Sequence, residues 1–143
     1  MSEKPTVADM TAAYALDAID HAKATANVDL DFSAESIGRV ETILTMLHDT
    51  LPKGFLSKLF NRGPSSDDVL TMSKMYGSYV GEVLRRVRGG EWALIDGQVT
   101  LTKGDERIWP VAKVHKRIVN GSEDNVAVYV RVLVQEIGAG TRS

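Results

Sequence analysis

One amphipathic helix constrains this chain more than any other feature of its sequence. From about Ser65 to Arg88, apolar side chains recur at steps of three and four residues, which is the spacing of one helix face (Val69, Met72, Tyr76, Tyr79, Val83 and Val87). Two aspartates lie in its first turn and three arginines in its last, where each charge suits the helix dipole, and Gly89-Gly90 ends it. The breadth of the stripe places this helix at the centre of the core.

Two glycines, Gly77 and Gly81, stand four residues apart inside the same helix. Residues four apart share a helix face, so the pair predicts that another element approaches this helix closely. The surrounding Tyr-Gly-Ser-Tyr lacks the strand-to-turn setting of a nucleophile elbow.

Two more helices are predicted upstream, over residues 6–25 and 33–51, with Thr6 and Ser33 as their expected N-caps. The alternating stretch 28–32 between them is expected either to run extended briefly or to pack Phe32 against the following helix. Residues 52–66 form a linker within the domain, because Pro and Gly end the second helix.

A β-hairpin over 91–102 follows the long helix, since Asp96-Gly97 between two apolar runs is the strongest short hairpin signal. A loop from 103 to 107 comes next. Residues 110–121 favour a helix over an edge strand, and 125–137 fit either a helix or an alternating strand. The cap chemistry after Ser122 favours the helix for this last element.

The expected architecture is therefore a helix-rich α+β domain covering residues 1–143, with residues 1–5 and 138–143 frayed at its ends. The chain has no cysteine, which excludes disulfides, thiolate metal sites and a cysteine nucleophile. It begins without the pattern of a signal peptide and contains no run of about eighteen apolar residues, so a cytoplasmic address is predicted. A net charge of −2 argues against a nucleic-acid partner.

The three histidines, at positions 21, 48 and 115, are far apart and form no metal-binding motif. No phosphate loop is present either, because Gly89-Gly90 follows a helix and precedes a strand, which is the reverse of the order that such a loop needs. The sequence therefore predicts no catalytic residue, no metal site and no cofactor.

Two surfaces could still bind something. Glu82 lies three and four residues before two arginines, so it either forms a boundary ion pair or lines a groove together with Trp92. A basic cluster of the long helix and residues 110–117 could join it as a ligand or partner surface (Glu82, Arg85, Arg86, Trp92, Lys113 and Arg117). Phe55 and Phe60, among cations in the linker, either cover the core or form an interaction patch. Residues 53–62 could also contact a membrane surface peripherally.

Three segments resemble small uncharacterised bacterial domains in which a Gly-Glu helix precedes a Gly-Trp strand. They are G-S-Y-V-G-E-V-L-R-R-x-x-G-G-x-W at 77–92, P-V-A-K-V-H-K-R at 110–117 with Asn-Gly at 120–121, and D-F-S-A-E-S-I at 31–37. The resemblance covers roughly residues 30–135 and implies a bacterial α+β domain of unknown function. It brings no functional residues with it.

These observations predict a non-catalytic protein-interaction or accessory protein, for example an immunity or chaperone-like protein, with a protein partner or a second copy of itself. The alternative is a small-ligand or anion-binding protein, or an enzyme, that uses the region of Glu82, Arg85, Arg86 and Trp92. The structure can distinguish the two hypotheses, because a ligand-binding protein or an enzyme needs these four side chains to converge on a pocket.

Overall fold

The computed structural model describes residues 4–51 and 66–140, so Phe55, Phe60 and the linker before Ser66 lie outside the described residues. The helix-rich α+β prediction is confirmed. The described residues form five α-helices, one three-stranded antiparallel sheet and a short 3₁₀ turn: α1 (Val7–Ala26), α2 (Ser36–Thr50), α3 (Ser66–Arg88), β1 (Glu91–Ile95), β2 (Gln98–Lys103), β3 (Glu106–Ile108), α4 (Pro110–Asn120), the 3₁₀ turn Ser122–Asp124 and α5 (Val126–Gly140).

Helix α1 begins with a capping box. The Thr6 hydroxyl accepts a hydrogen bond from the Asp9 backbone N–H, and the Asp9 carboxylate accepts one from the Thr6 N–H, each at 3.0 Å. This arrangement satisfies two N–H groups that have no partner within the helix. The helix ends at Asn27, whose backbone is left-handed with φ of 53°.

Helix α2 begins three residues later than expected, at Ser36. Its N-cap is Glu35, which makes no side-chain capping bond, and not the predicted Ser33. The Ser33 hydroxyl accepts a hydrogen bond from the Ser36 N–H at 3.1 Å in the turn before the helix. Phe32 does not pack primarily as a staple on α2. Its ring stacks on Tyr79 of α3 at 5.0 Å between ring centroids, and its N–H donates to the Tyr79 hydroxyl. The end of this stretch is therefore held by the central helix, whereas Val28 and Asp29 contact α1 and α2.

Helix α3 lies at the centre of the core. Most of its predicted stripe is buried, but Val87 at the C-terminal end of the stripe is 43% exposed. Its fully buried face includes Tyr76, Tyr79, Val80, Val83 and Leu84. The packing depends on the two glycines. A Cβ atom at Gly77 would lie 2.5 Å from the Val111 Cα, and one at Gly81 would overlap the Trp92 ring. Only glycine allows α4 and the start of β1 to come this close.

The three strands form a meander with the order β1-β2-β3. Asp96 and Gly97 make the predicted hairpin turn with φ of 50° and 78°, the positive values that a type I′ turn requires. Part of the expected loop at 103–107 is in fact β3, which pairs Thr102 with Arg107 and Leu101 with Ile108. A strand of three residues is too short for an alternating pattern to reveal it.

Both C-terminal elements are helices. Pro110 occupies the first turn of α4, where its missing N–H costs nothing, and Gly121 with φ of 98° ends the helix. Val126 and Val130 of α5 are buried against the core, while Val128 and Val132 remain about half exposed. No helix in residues 4–51 or 66–140 combines the length and the apolar character needed to cross a bilayer.

Candidate functional site

Glu82 does converge with three of its expected partners. Its carboxylate accepts hydrogen bonds from Arg85 Nε and Nη2 at 2.8 and 2.7 Å, from Arg86 Nε at 2.9 Å and from Trp92 Nε1 at 3.2 Å. The glutamate side chain is 12% exposed. Gly81 makes the contact with Trp92 possible, since any side chain there would meet the indole ring.

These donors keep Glu82 ionised. Hydrogen bonds from Arg85, with smaller contributions from Arg86 and Trp92, lower the pKa of Glu82 to about 2 against the opposing effect of burial. A carboxylate with such a pKa is a weak base at neutral pH, because general acid–base catalysis works best when the pKa lies near the working pH. The geometry is that of a structural ion-pair network which ties α3 to β1.

The remaining cations of the predicted surface lie elsewhere. Lys113 is 3.4 Å from a carboxylate oxygen of Asp124 and lies over the Tyr129 ring. Arg117 is only 1% exposed and bonds to Glu41 of α2. The structure thus brings Glu82, Arg85, Arg86 and Trp92 together, and it places Lys113 and Arg117 in separate contacts with other elements.

A second candidate site is a cleft with mostly apolar walls, which we call the apolar cleft. Polar and basic side chains line it as well. It has a volume of about 460 Å³ and lies between α1, α3, α4 and the tip of the hairpin. Its apolar walls come from Val7, Met10, Tyr14, Leu70, Val99, Val111 and Ala112. Met10 and Leu70 are 44% and 42% exposed at its edge. Clefts of roughly 300–1,000 Å³ with mostly apolar walls are the usual form of ligand sites.

Polar groups lie at two levels of this cleft. Ser78 and Thr11 are almost completely buried and line its interior, whereas Lys74, His115 and Lys116 lie nearer to solvent. Thr11 donates its hydroxyl proton to the Ala8 carbonyl. Within the part of the chain that the structure describes, the Ser78 hydroxyl makes no hydrogen bond and Lys74 forms no ion pair.

Part of the cleft wall is visible in the sequence as a row of residues on α3 beside its main apolar stripe. Leu70, Lys74 and Ser78 are spaced by four residues and form one row of α3 beside the core face. Met10 and Tyr14 form a similar pair on α1. The fold brings these rows together, so neither is recognisable as part of a site before the helices pack.

With this geometry established, comparison with known proteins adds no identity. No family model, curated protein or solved structure matches this chain. The likeness of residues 30–135 to small bacterial domains therefore remains a resemblance. The cleft and the Glu82 network are the features of this structure that bear on function.

We expect Glu82→Gln to lower the free energy of unfolding at pH 7 by about 1 kcal/mol, because it removes charged hydrogen bonds whose arginine partners are partly exposed. The folded-state pKa of about 2 lies below the ordinary value of 4.5, so the ionised carboxylate stabilises the fold above about pH 4.5. That contribution is lost as the pH falls toward 2.

Urea unfolding of the wild type and Glu82→Gln at several pH values measures this difference. The stability gap between them should close as the pH falls through this window. Glu91→Gln is the matched control, since Glu91 is exposed on β1 near the same network. A gap that stays constant from pH 7 to the acid limit contradicts the proposed role of the Glu82 charge.

Proposed function

We propose that this protein is a non-catalytic binding protein with an accessory role, and that the apolar cleft is its binding site. The observation that carries the proposal is the cleft itself, a space of about 460 Å³ with mostly apolar walls that Ser78 also lines. Exposed apolar surface of this kind is typical of binding sites, because a bound partner removes it from water.

The second hypothesis, an enzyme or anion site at Glu82, has less support. The carboxylate there is occupied by Arg85, Arg86 and Trp92, and its low pKa suits a permanent charge rather than proton transfer. Among the described residues, no three histidine, aspartate or glutamate side chains are grouped as metal ligands. The contacts and the low pKa of Glu82 favour binding over chemistry at this position.

An accessory protein of the immunity or chaperone type, acting in a bacterial cytoplasm, is one version of this proposal. In that version an apolar segment of a partner protein enters the cleft beside Met10 and Leu70, whose exposed side chains would lose contact with water. A small amphipathic molecule is the other possible occupant, and both require the same space.

A cleft-filling substitution tests the proposal. Ala112 is exposed on α4 and lines the cleft, so Ala112→Phe should occupy the space and abolish binding. Ala13→Phe is the matched control, because Ala13 is an exposed alanine of α1 that does not line the cleft. Native mass spectrometry of the three proteins, purified from their own cells, measures the mass of any bound partner.

The expected result is a partner on the wild type and on Ala13→Phe, and none on Ala112→Phe. A bound mass of a few hundred daltons identifies a small molecule, and a larger one a protein. Retention of the same partner by Ala112→Phe, or a wild type that carries nothing, contradicts the cleft as the functional site. Circular dichroism and thermal unfolding must first establish that both variants are folded.

A further inference from the structure

The interior of the cleft is apolar with one free hydroxyl. Val7, Val99 and Val111 contribute hydrocarbon from three different elements, and Ser78 lies among them at 1% exposure. Apolar walls of this kind favour a hydrocarbon or aromatic body over a sugar or a peptide backbone, because each buried polar group of such a ligand would need its own partner. The single Ser78 hydroxyl can form hydrogen bonds with very few such polar groups.

The outer part of the cleft is cationic. Lys74 on α3 and Lys116 on α4 line it together with His115, and no aspartate or glutamate is among the lining residues. The Asn120 hydrogen bond lowers the pKa of the Asp124 carboxyl, with smaller contributions from Lys113 and then Lys116. Lys74 has no ionic partner within the described ranges 4–51 and 66–140. The positive charge at the cleft is therefore incompletely balanced by the protein.

The chain's own linker does not supply the missing charge. Residues 52–65 carry Lys53, Lys58 and Arg62 and no acidic residue. Among the cleft-lining residues and this linker, the charged side chains are all basic. Charge complementarity therefore favours an occupant that is anionic at one end.

We propose that the apolar cleft binds a small amphipathic anion, with an apolar body along Val7, Val99 and Val111 and an acidic head group beside Lys74 and Lys116. This inference rests on the proposed function, because it assumes that the cleft is the binding site and adds the chemical class of the occupant. A medium-chain carboxylate is the simplest compound of this class, since it combines an unbranched hydrocarbon with one negative charge.

Isothermal titration calorimetry with three ten-carbon probes separates charge from apolar contact. Decanoate, 1-decanol and decylamine share a chain and differ in head group, which is anionic, neutral or cationic. We expect one decanoate per wild-type chain, binding about tenfold weaker for decanol, and no measurable binding for decylamine. A tenfold change corresponds to about 1.4 kcal/mol, which is within the range of one partly exposed charge contact.

Variants then assign the charge to its residues. Lys74→Gln/Lys116→Gln should weaken decanoate binding about tenfold and leave decanol binding unchanged. Lys23→Gln/Lys103→Gln is the control, because it removes the same net charge from two exposed lysines that do not line the cleft. Decanoate affinity should also fall as sodium chloride is raised, since salt screens the contact between the head group and the lysines.

The outcomes separate this inference from the proposed function. Equal binding of decanoate and decanol, unaffected by the lysine substitutions, overturns the anionic head group and keeps an apolar site. Absence of decanoate binding overturns the inference, yet the proposed function stands if Ala112→Phe still loses a native partner, which would then be a protein segment. Decanoate binding that Ala112→Phe does not weaken places the ligand outside the cleft and overturns the inference.

Discussion

Replacing Glu41 by alanine should lower the free energy of unfolding by about 3–5 kcal/mol, because it leaves Arg117 charged and buried without its counter-ion. The Arg117 side chain is 2% exposed, and that of Glu41 is 12% exposed. The Arg117 Nε lies 2.9 and 2.8 Å from the two carboxylate oxygens, and Nη2 lies 2.7 Å from Oε2. The Arg117 Nη2 also donates to the Thr45 hydroxyl.

This ion pair connects three helices. Glu41 belongs to α2 and Arg117 to α4, and Glu41 Oε1 additionally accepts a hydrogen bond from the Val126 N–H at the start of α5. Glu41→Ala therefore removes the partner of a buried guanidinium and of a helix N-terminal N–H at once. An unpaired buried donor costs roughly 1–3 kcal/mol, and more when it is charged.

Urea unfolding monitored by circular dichroism measures the effect. Glu35→Ala is the control, because Glu35 is an exposed glutamate at the start of the same helix. The double variant Glu41→Leu/Arg117→Met should recover much of the stability, since it removes both charges and fills the space with hydrocarbon. If Glu41→Ala costs no more than Glu35→Ala, the pair contributes little and the helices are held by apolar packing alone.

Arg117 also illustrates what the sequence could and could not reveal. Its neighbours Lys113 and Lys116 suggest a solvated basic face, which predicts that Arg117 lies at the surface. Yet it lies three residues after Val114 and one before Ile118, both buried, so it shares the apolar face of α4. That spacing predicts burial, but the partner stands 76 positions away in the chain and no local pattern identifies it.

The helices and the hairpin could be predicted from neighbouring residues in the sequence. The position of the apolar cleft depends on how distant elements pack together. The capping box at Thr6, the Asp96-Gly97 turn and the stop at Gly89-Gly90 depend on neighbouring residues, so their spacing was sufficient. The Glu82 network was accessible for the same reason, since Arg85 and Arg86 lie one helical turn away. The cleft needs four elements to pack around an unfilled space, which periodicity within any one of them does not determine.

For strand β3 and helix α5, hydrophobic periodicity in the sequence does not determine the secondary structure. The valines from Val126 to Val134 fit the two-residue period of a strand and the residues around them also fit a helical stripe. The structure forms helix α5 there. Val126 and Val130 are buried while Val128 and Val132 are exposed, which a helix achieves by facing the core with residues four apart. A local cap supports the helix as well, because the Asn125 side chain accepts a hydrogen bond from the Val128 N–H.

The second large effect is expected at Gly77, where an alanine should lower the free energy of unfolding by about 2 kcal/mol. Its Cβ would lie 2.5 Å from the Val111 Cα and 2.9 Å from the Val111 N, so α3 and α4 would have to separate. Overpacking of this kind typically costs roughly 1–3 kcal/mol, and backbone atoms cannot rotate away as a side chain can. The higher helix propensity of alanine offsets only part of that cost.

Gly38→Ala is the matched control for Gly77→Ala, since Gly38 lies in α2 and an added Cβ would meet no atom within 4 Å. Alanine at Gly38 should raise the free energy of unfolding by up to about 1 kcal/mol through helix propensity alone. Thermal and urea unfolding should therefore show that alanine lowers the free energy of unfolding at position 77 and raises it at position 38. Because Val111 also lines the apolar cleft, Gly77→Ala should in addition change decanoate affinity, whereas Gly38→Ala should not. Equal stabilisation by both alanines contradicts the close approach of α4 to α3, and with it the position of the wall that α4 contributes to the cleft.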